Sequence, residues 1–194
     1  MSISKIIAGV DEAGRGPLAG PVFAAAVIFK RKQTTIIGLK DSKKLSKKNR
    51  EKIFLTIMQL SFVGIGNASV VEIDKYNILQ ATLLAMQRAI FDLKVKPNHV
   101  LVDGMNCPKV NIDCKAIVRG DTTVPEIMAA SIIAKVTRDK MMGKMDKKYP
   151  SYGFKKHFGY GTKQHIKAIL ESGITPIHRR SFNPIHNMLN KKKS

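Results

Sequence analysis

The sequence predicts an α/β domain whose mixed sheet of about five strands is flanked by helices. Apolar runs of strand length occur at 5–10, 21–29, 61–68, 99–104 and 114–121. Between and after them lie longer stretches of helical periodicity, two of them opened by helix-start signals. The chain has 194 residues, 44% hydrophobic and 25% charged, enough to bury a core, and 1–194 reads as a single domain.

KIIAGV (5–10) gives the first strand and PVFAAAVIF (21–29) the second, across a turn rich in Gly and Pro. The lysine-rich stretch 30–51 contains DSKKLS, a loop leading into a helix from about Ser46 to Gln59. SFVGIGNA (61–68) is the third strand. Ser69 and Glu72 have capping-box spacing, and Ile78, Leu79, Leu83, Met86, Ile90 and Leu93 continue at helical spacing to the break at Pro97. HVLVDG (99–104) and CKAIVRGD (114–121) are strands that run into acids. Thr123 and Glu126 repeat the capping-box spacing and open a helix through about Lys147. The Tyr- and Gly-rich 149–161 reads as a loop and 162–172 as a short helix, a small C-terminal helical part that starts at about 149. NKKKS (190–194) reads as a frayed basic tail. The first three strands predict an antiparallel meander, and the strand after helix 70–95 a parallel crossover onto the same sheet.

Lys and Arg number 34 against 14 Asp and Glu, a net charge of +20 that calls for an anionic partner, with nucleic acid the leading class. A generic basic surface is the alternative. No apolar run approaches the roughly 18 residues of a membrane span, and the N-terminus lacks the pattern of a signal peptide. Cys107 and Cys114 form no CxxC and have no His at metal spacing, as suits a reducing compartment, and a cytoplasmic location is expected.

Asp11 and Glu12 close the first predicted strand, Asp103 the fourth, and Asp121 follows the fifth. Strand ends are where open α/β sheets place ligand sites. Converging carboxylates repel unless a cation neutralises them, and an all-oxygen set suits Mg²⁺ or Mn²⁺. Two such ions about 4 Å apart would activate water for phosphodiester cleavage. Asp103-Gly104 and Gly120-Asp121 are equally ordinary turn dipeptides, and Asp11 or Glu12 can pair with lysine, so both readings stand on spacing alone. Neighbours on a strand face opposite sides, so Asp11 and Glu12 share one site only if the strand ends or twists there. Gly14-Arg15-Gly16 fits either a backbone approach to phosphate or sugar, or a plain turn.

DEAGRGPLAGP, DSKKLS, VDG, RGD followed by IMAASIIAKVTRD, YGFKKHFGYGT and HRRSF, in that order from about residue 7 to 184, resemble bacterial ribonuclease HII. The resemblance implies a ribonuclease H-like fold. It implies endonucleolytic cleavage of the RNA strand of RNA–DNA hybrids, and cutting 5′ of a single ribonucleotide in duplex DNA, with 3′-hydroxyl and 5′-phosphate ends. The expected cofactors are two divalent ions, Mn²⁺ or Mg²⁺. The implied catalytic and metal-binding acids are Asp11, Glu12, Asp103 and Asp121. Glu126 falls at the helix cap instead, and Asp139 reads as a helix acid paired with Arg or Lys. For substrate, the resemblance implies Gly14, Arg15 and Gly16 at the ribose 2′-OH, Lys43 (or Lys44) at a phosphate, and Tyr160 on the sugar 3′ to the ribonucleotide. Tyr152 reads as structural; His157, His165 and His178 have no catalytic assignment, and Met141, Met142 and Met145 read as packing. A monomer with no membrane association is expected. The alternatives are a ribonuclease HIII-type enzyme and a basic nucleic-acid-binding protein without catalysis.

Overall fold

The computed structural model describes residues 5–31, 34, 36–39 and 46–191. Lys43 and Lys44 lie outside the described residues. Five strands, β1 (Ile7–Ala13), β2 (Val22–Phe29), β3 (Ser61–Ala68), β4 (His99–Asp103) and β5 (Asp113–Ile117), form one sheet in the order β3-β2-β1-β4-β5. β1, β2 and β3 pair antiparallel, whereas β4 and β5 run parallel to β1. The meander and the parallel crossover are thus both present, with a helix inserted between β2 and β3.

Helices α1 (Lys47–Leu60), α2 (Val70–Phe91), α3 (Gly120–Thr123), α4 (Pro125–Lys148), α5 (Phe154–His157), α6 (Lys163–Ser172) and α7 (Ile185–Lys191) complete the described chain. Ser46 caps α1 by accepting from the Asn49 amide, and the Ser69/Glu72 capping box opens α2.

The alternation of β2 explains the layers. Ala24 and Ala26 point to the α2 side, Ala25 and Val27 to the α4 side, all buried. These small residues let a helix close on each face. Two glycines bring the helices closer still. A Cβ on Gly66 of β3 would collide with the Ala85 carbonyl of α2, and one on Gly9 of β1 with the Glu126 backbone of α4. A third cluster, including Leu18, Met142, Tyr152, Phe154, Ile169 and Ile185, joins the C-terminal helices to the turn after β1. Met141 and Met145 pack against it. Burial of side chains such as Phe154 and Ile185 contributes about 1.5–3 kcal/mol each.

Several boundaries differ from the sequence reading. β1 continues through both acids, because its antiparallel pairing with β2 runs on to Ala13↔Phe23. β5 stops at Ile117, since Arg119 takes a left-handed conformation (φ 57°) and Gly120–Thr123 coil into a helical turn. Thr123 and Glu126 do not form a capping box: α4 starts at Pro125, with Val124 as a cap that makes no side-chain bond. Proline at the first helical position supplies the start instead. The stretch 149–161 holds a 3-10 turn (Pro150–Tyr152) and α5, and Asn190 belongs to α7.

α2 is broken at Asn77, whose φ 67° and ψ 167° lie in a region otherwise reserved for glycine, at a cost of about 1–3 kcal/mol. The Asn77 side-chain oxygen accepts from the Leu79 and Gln80 amides at 2.9 and 3.1 Å and restarts the helix.

Candidate active site

The register of the central strands assembles the acids. β1 and β4 pair in parallel through Val10↔Val102, and the next residue of each strand is Asp11 and Asp103. Ala8, Val10, Val100 and Val102 point into the α2-side core, so alternation turns Asp11 and Asp103 together to the α4 side. Asp121, on the turn beyond β5, donates its amide to an Asp103 carboxylate oxygen at 3.2 Å. Asp11, Asp103 and Asp121 present carboxylate oxygens within 4.8 Å of one another, the only such group of acid, His or Cys ligands among the described residues.

Glu12, the next residue of β1, is not one of that trio, but its carboxyl lies close enough to interact with that of Asp11. Glu12 also meets Arg15, with Nη1 to Oε1 at 3.4 Å. Its amide donates to an Asp11 carboxylate oxygen at 2.7 Å.

Asp11 is 5% exposed. Burial pushes its carboxyl well above the usual carboxylate range, and the Glu12 and Asp103 charges push the same way, against hydrogen bonds from the Glu12 amide and Ser131. Burial also raises Glu12, opposed by Arg15. Three acids on one spot, one of them buried without a cationic partner, fit a hard divalent cation: it would relieve repulsion and desolvation together. Asp139 and Glu126 stand apart. Asp139 pairs with Lys135 at 2.9 Å. Glu126 lies under Gly9 and lines a recess with Lys5, Ile7 and Phe29, at the end where β1 begins.

The turn after β1 is held from beneath by two buried arginines that the sequence reading left unassigned. Arg138 of α4 donates to the carbonyls of Ala19 (3.0 Å), Pro21 (3.1 Å) and Phe158 (3.0 Å). Arg179 donates to the carbonyls of Gly14, Arg15 and Gly20. In a trans peptide the amide points away from the carbonyl, so the Arg15 and Gly16 N–H groups face away from Arg179, with no acceptor among the described residues. Gly14 takes φ 101°, and a Cβ there would collide with the Arg138 guanidinium. One signal in the sequence could have exposed Arg138: it lies in SIIAKVTRDKMM, on the stripe occupied by buried Ile127, Ala134 and Met142.

Tyr160 rises beside this turn. Its ring carbon Cε1 is 3.6 Å from where a Gly16 Cβ would sit, and the residue is 45% exposed. Histidines anchor its backbone. The Thr175 amide donates to His178 Nδ1 (2.8 Å), which leaves the His178 proton on Nε2, facing His165 Nε2 at 3.0 Å. His165 then donates from Nδ1 to the Tyr160 carbonyl at 2.9 Å. His157 stacks on His165 and bonds the Tyr152 carbonyl at 2.8 Å. Tyr152 is buried, its hydroxyl on the Gly173 carbonyl at 2.8 Å.

A family model described as Ribonuclease HII matches residues 8–185. The chain belongs to the ribonuclease HII family. The ribonuclease HII of Coxiella burnetii is 56% identical over 184 residues, 94% of this chain and 91% of that protein. The ribonuclease HII of Acinetobacter baylyi is 54% identical over 187 residues, 95% and 98% of the two chains. The ribonuclease H2 of Pyrococcus horikoshii, a crystal structure, superposes with a TM-score of 0.81 at 29% identity, covering 97% of this chain and 99% of that one. This member of the family is accordingly an endonuclease of the ribonuclease H class, with the ribonuclease H-like fold that the sequence implies. No helix among its described residues is long and apolar enough to cross a membrane.

Proposed function

We propose that this ribonuclease HII hydrolyses the RNA strand of RNA–DNA hybrids and cuts 5′ of single ribonucleotides embedded in duplex DNA, leaving a 3′-hydroxyl and a 5′-phosphate. The observation that carries the proposal is one juxtaposition. A three-carboxylate site adjoins a turn whose Arg15 and Gly16 amides face outward, with the Tyr160 ring against that turn.

Asp11, Asp103 and Asp121 would hold two divalent ions, Mn²⁺ or Mg²⁺, and Glu12, whose carboxyl interacts with that of Asp11, would complete the set. Such ions, when bound, supply a water activated at neutral pH and neutralise charge on the leaving oxygen. The protein's own groups then position. The outward amides and Arg15 take the ribose 2′-OH and its phosphate, the feature that separates RNA from DNA at a single residue. Tyr160 packs on the next sugar, and Lys43 takes a nearby phosphate. No side-chain base is required, which agrees with histidines committed to backbone carbonyls rather than facing the carboxylates. We place the enzyme in the cytoplasm as a monomer built as a single domain.

The deciding experiment uses a DNA duplex containing one ribonucleotide, with Mn²⁺, with Mg²⁺ and with EDTA. Metal-dependent nicking 5′ of the ribonucleotide is expected. Tight binding without nicking in either metal would refute the enzyme reading and leave a basic nucleic-acid-binding protein.

A further inference from the structure

β3 ends opposite the start of β2, at Ala68↔Val22, so the opening turns of α2 rise at the same end of the sheet as the Gly14–Arg15–Gly16 turn. A three-residue segment ties the two together. Arg179 grips the carbonyls of Gly14, Arg15 and Gly20. The next two residues dock on α2, where the Asp74 carboxylate accepts from the Arg180 amide (3.0 Å), the Ser181 amide (3.0 Å) and the Ser181 hydroxyl (2.6 Å).

Asp74 is thus bonded by neutral donors and forms no ion pair with the cations on either side of it, Lys75 and Arg180. Lys75 and Arg180 are exposed and have no acidic partner among the described residues. The Lys75 ammonium lies 5.0 Å from the centre of the Tyr76 ring, and Tyr76 is 43% exposed. Directly after Tyr76 comes Asn77, in its glycine-like conformation, which breaks the helix so that the Lys75–Tyr76 pair protrudes as a knuckle. An exposed aromatic ring carrying a lysine, with the exposed Arg180 docked through its amide on the same helical turn, matches the sugar–phosphate backbone of a nucleic acid, and an acidic peptide would have less use for the ring.

We propose that Lys75, Tyr76 and Arg180 form a second anchor for the duplex, gripping its backbone away from the scissile phosphate. The inference rests on the proposed duplex substrate. The segment 179–181 gives it a structural meaning, since one strap sets the turn that reads the ribose and the knuckle that holds the flanking backbone at a fixed separation.

The test compares the protein with a variant carrying Lys75→Ala, Tyr76→Ala and Arg180→Ala, on a duplex with one ribonucleotide. The expected result is a KM raised about tenfold, kcat within about twofold, and a slope of log affinity against log salt smaller by about two, one for each lost phosphate contact. A charge-preserving pair, Lys75→Arg with Arg180→Lys, restores the slope. Unchanged slope and KM in the alanine variant overturn the proposal, and so does a charge-preserving pair as weak as the alanines. The slope is read without turnover, so a protein that bound duplex but failed to cut would undo the catalytic reading while still deciding this one.

Discussion

Arg179 donates from Nη1 to the Arg15 carbonyl at 2.8 Å, across 164 positions of sequence. That one bond links the last block of the chain to the turn beside the first acids. It also makes Arg179 the interior support of the turn proposed to read the ribose.

Arg179→Lys keeps the charge but not the fork of donors, and leaves two or more of the Gly14, Arg15 and Gly20 carbonyls unpaired. A stability loss of about 1–3 kcal/mol is expected, read as a lower denaturation midpoint. Cleavage should fall more than about tenfold while Mn²⁺ affinity, measured by calorimetry, stays unchanged. Loss of metal binding as well would show that Arg179 supports the carboxylates rather than the turn.

Asp103→Asn removes the central charge of the trio but keeps an oxygen for the Asp121 amide. Cleavage should drop by at least about a thousandfold with hybrid binding near that of the parent. A variant that still cuts at an ordinary rate would disprove the metal-site assignment.

Tyr160→Ala opens the space against Gly16. Cutting at a single embedded ribonucleotide should suffer more than cutting of a long hybrid, because the long hybrid offers many registers and the junction only one. Matched losses on both substrates, in single-turnover assays, would count against the junction role.

His178 is buried neutral, its pKa pushed down to about 4 by desolvation and then by His165. The unfolded chain takes up a proton near 6.5 that the folded chain refuses. The stability held above that value is therefore lost as pH falls from about 6.5 towards 4, by up to about 3 kcal/mol. Melting temperatures should drop across this window, and less steeply in His178→Gln. A parallel decline in the two proteins would rule out this histidine as the cause.

Gly9→Ala should lower stability by about 1–3 kcal/mol, because the new methyl group meets the α4 backbone and no side chain can move aside. Urea midpoints for the two proteins check it.

The strands, the two capped helices and the acids were legible because their signals are local. Ser46 and Ser69 each bond an amide within one turn, and β2 is apolar throughout because both faces are covered. What escaped was set by partners distant in sequence. β1 extends past Val10 because β2 pairs with it there, which no pattern in residues 11–13 announces. Thr123 matched a cap, but Arg119 in a left-handed turn and Pro125 at the helix start took that role from it. Arg138 and Arg179 had no assignment in the sequence. The carbonyls they hold, more than 100 positions away for most of them, show that they are interior, and only the helical stripe of Arg138 hints at it locally. The registry of β1 with β4 picked out Asp11 as the acid that joins Asp103.

The two interior arginines have one more effect. Each is held by carbonyl oxygens and bonds no carboxylate among the described residues, and the Asp139 and Asp74 charges act on Arg138 and Arg179 only without a bond, so two positive charges stand beneath a turn of a few residues. Peptide dipoles oriented by those arginines add a field of the same sign at the surface above. The turn is therefore a standing positive pole next to a negative one, the carboxylates, and a polyanion approaching with its counter-ions meets both. On the proposed reading one pole would attract the phosphates and the other would be masked by the cations that fill it, so nucleic acid and metal would each lower the electrostatic cost of admitting the other.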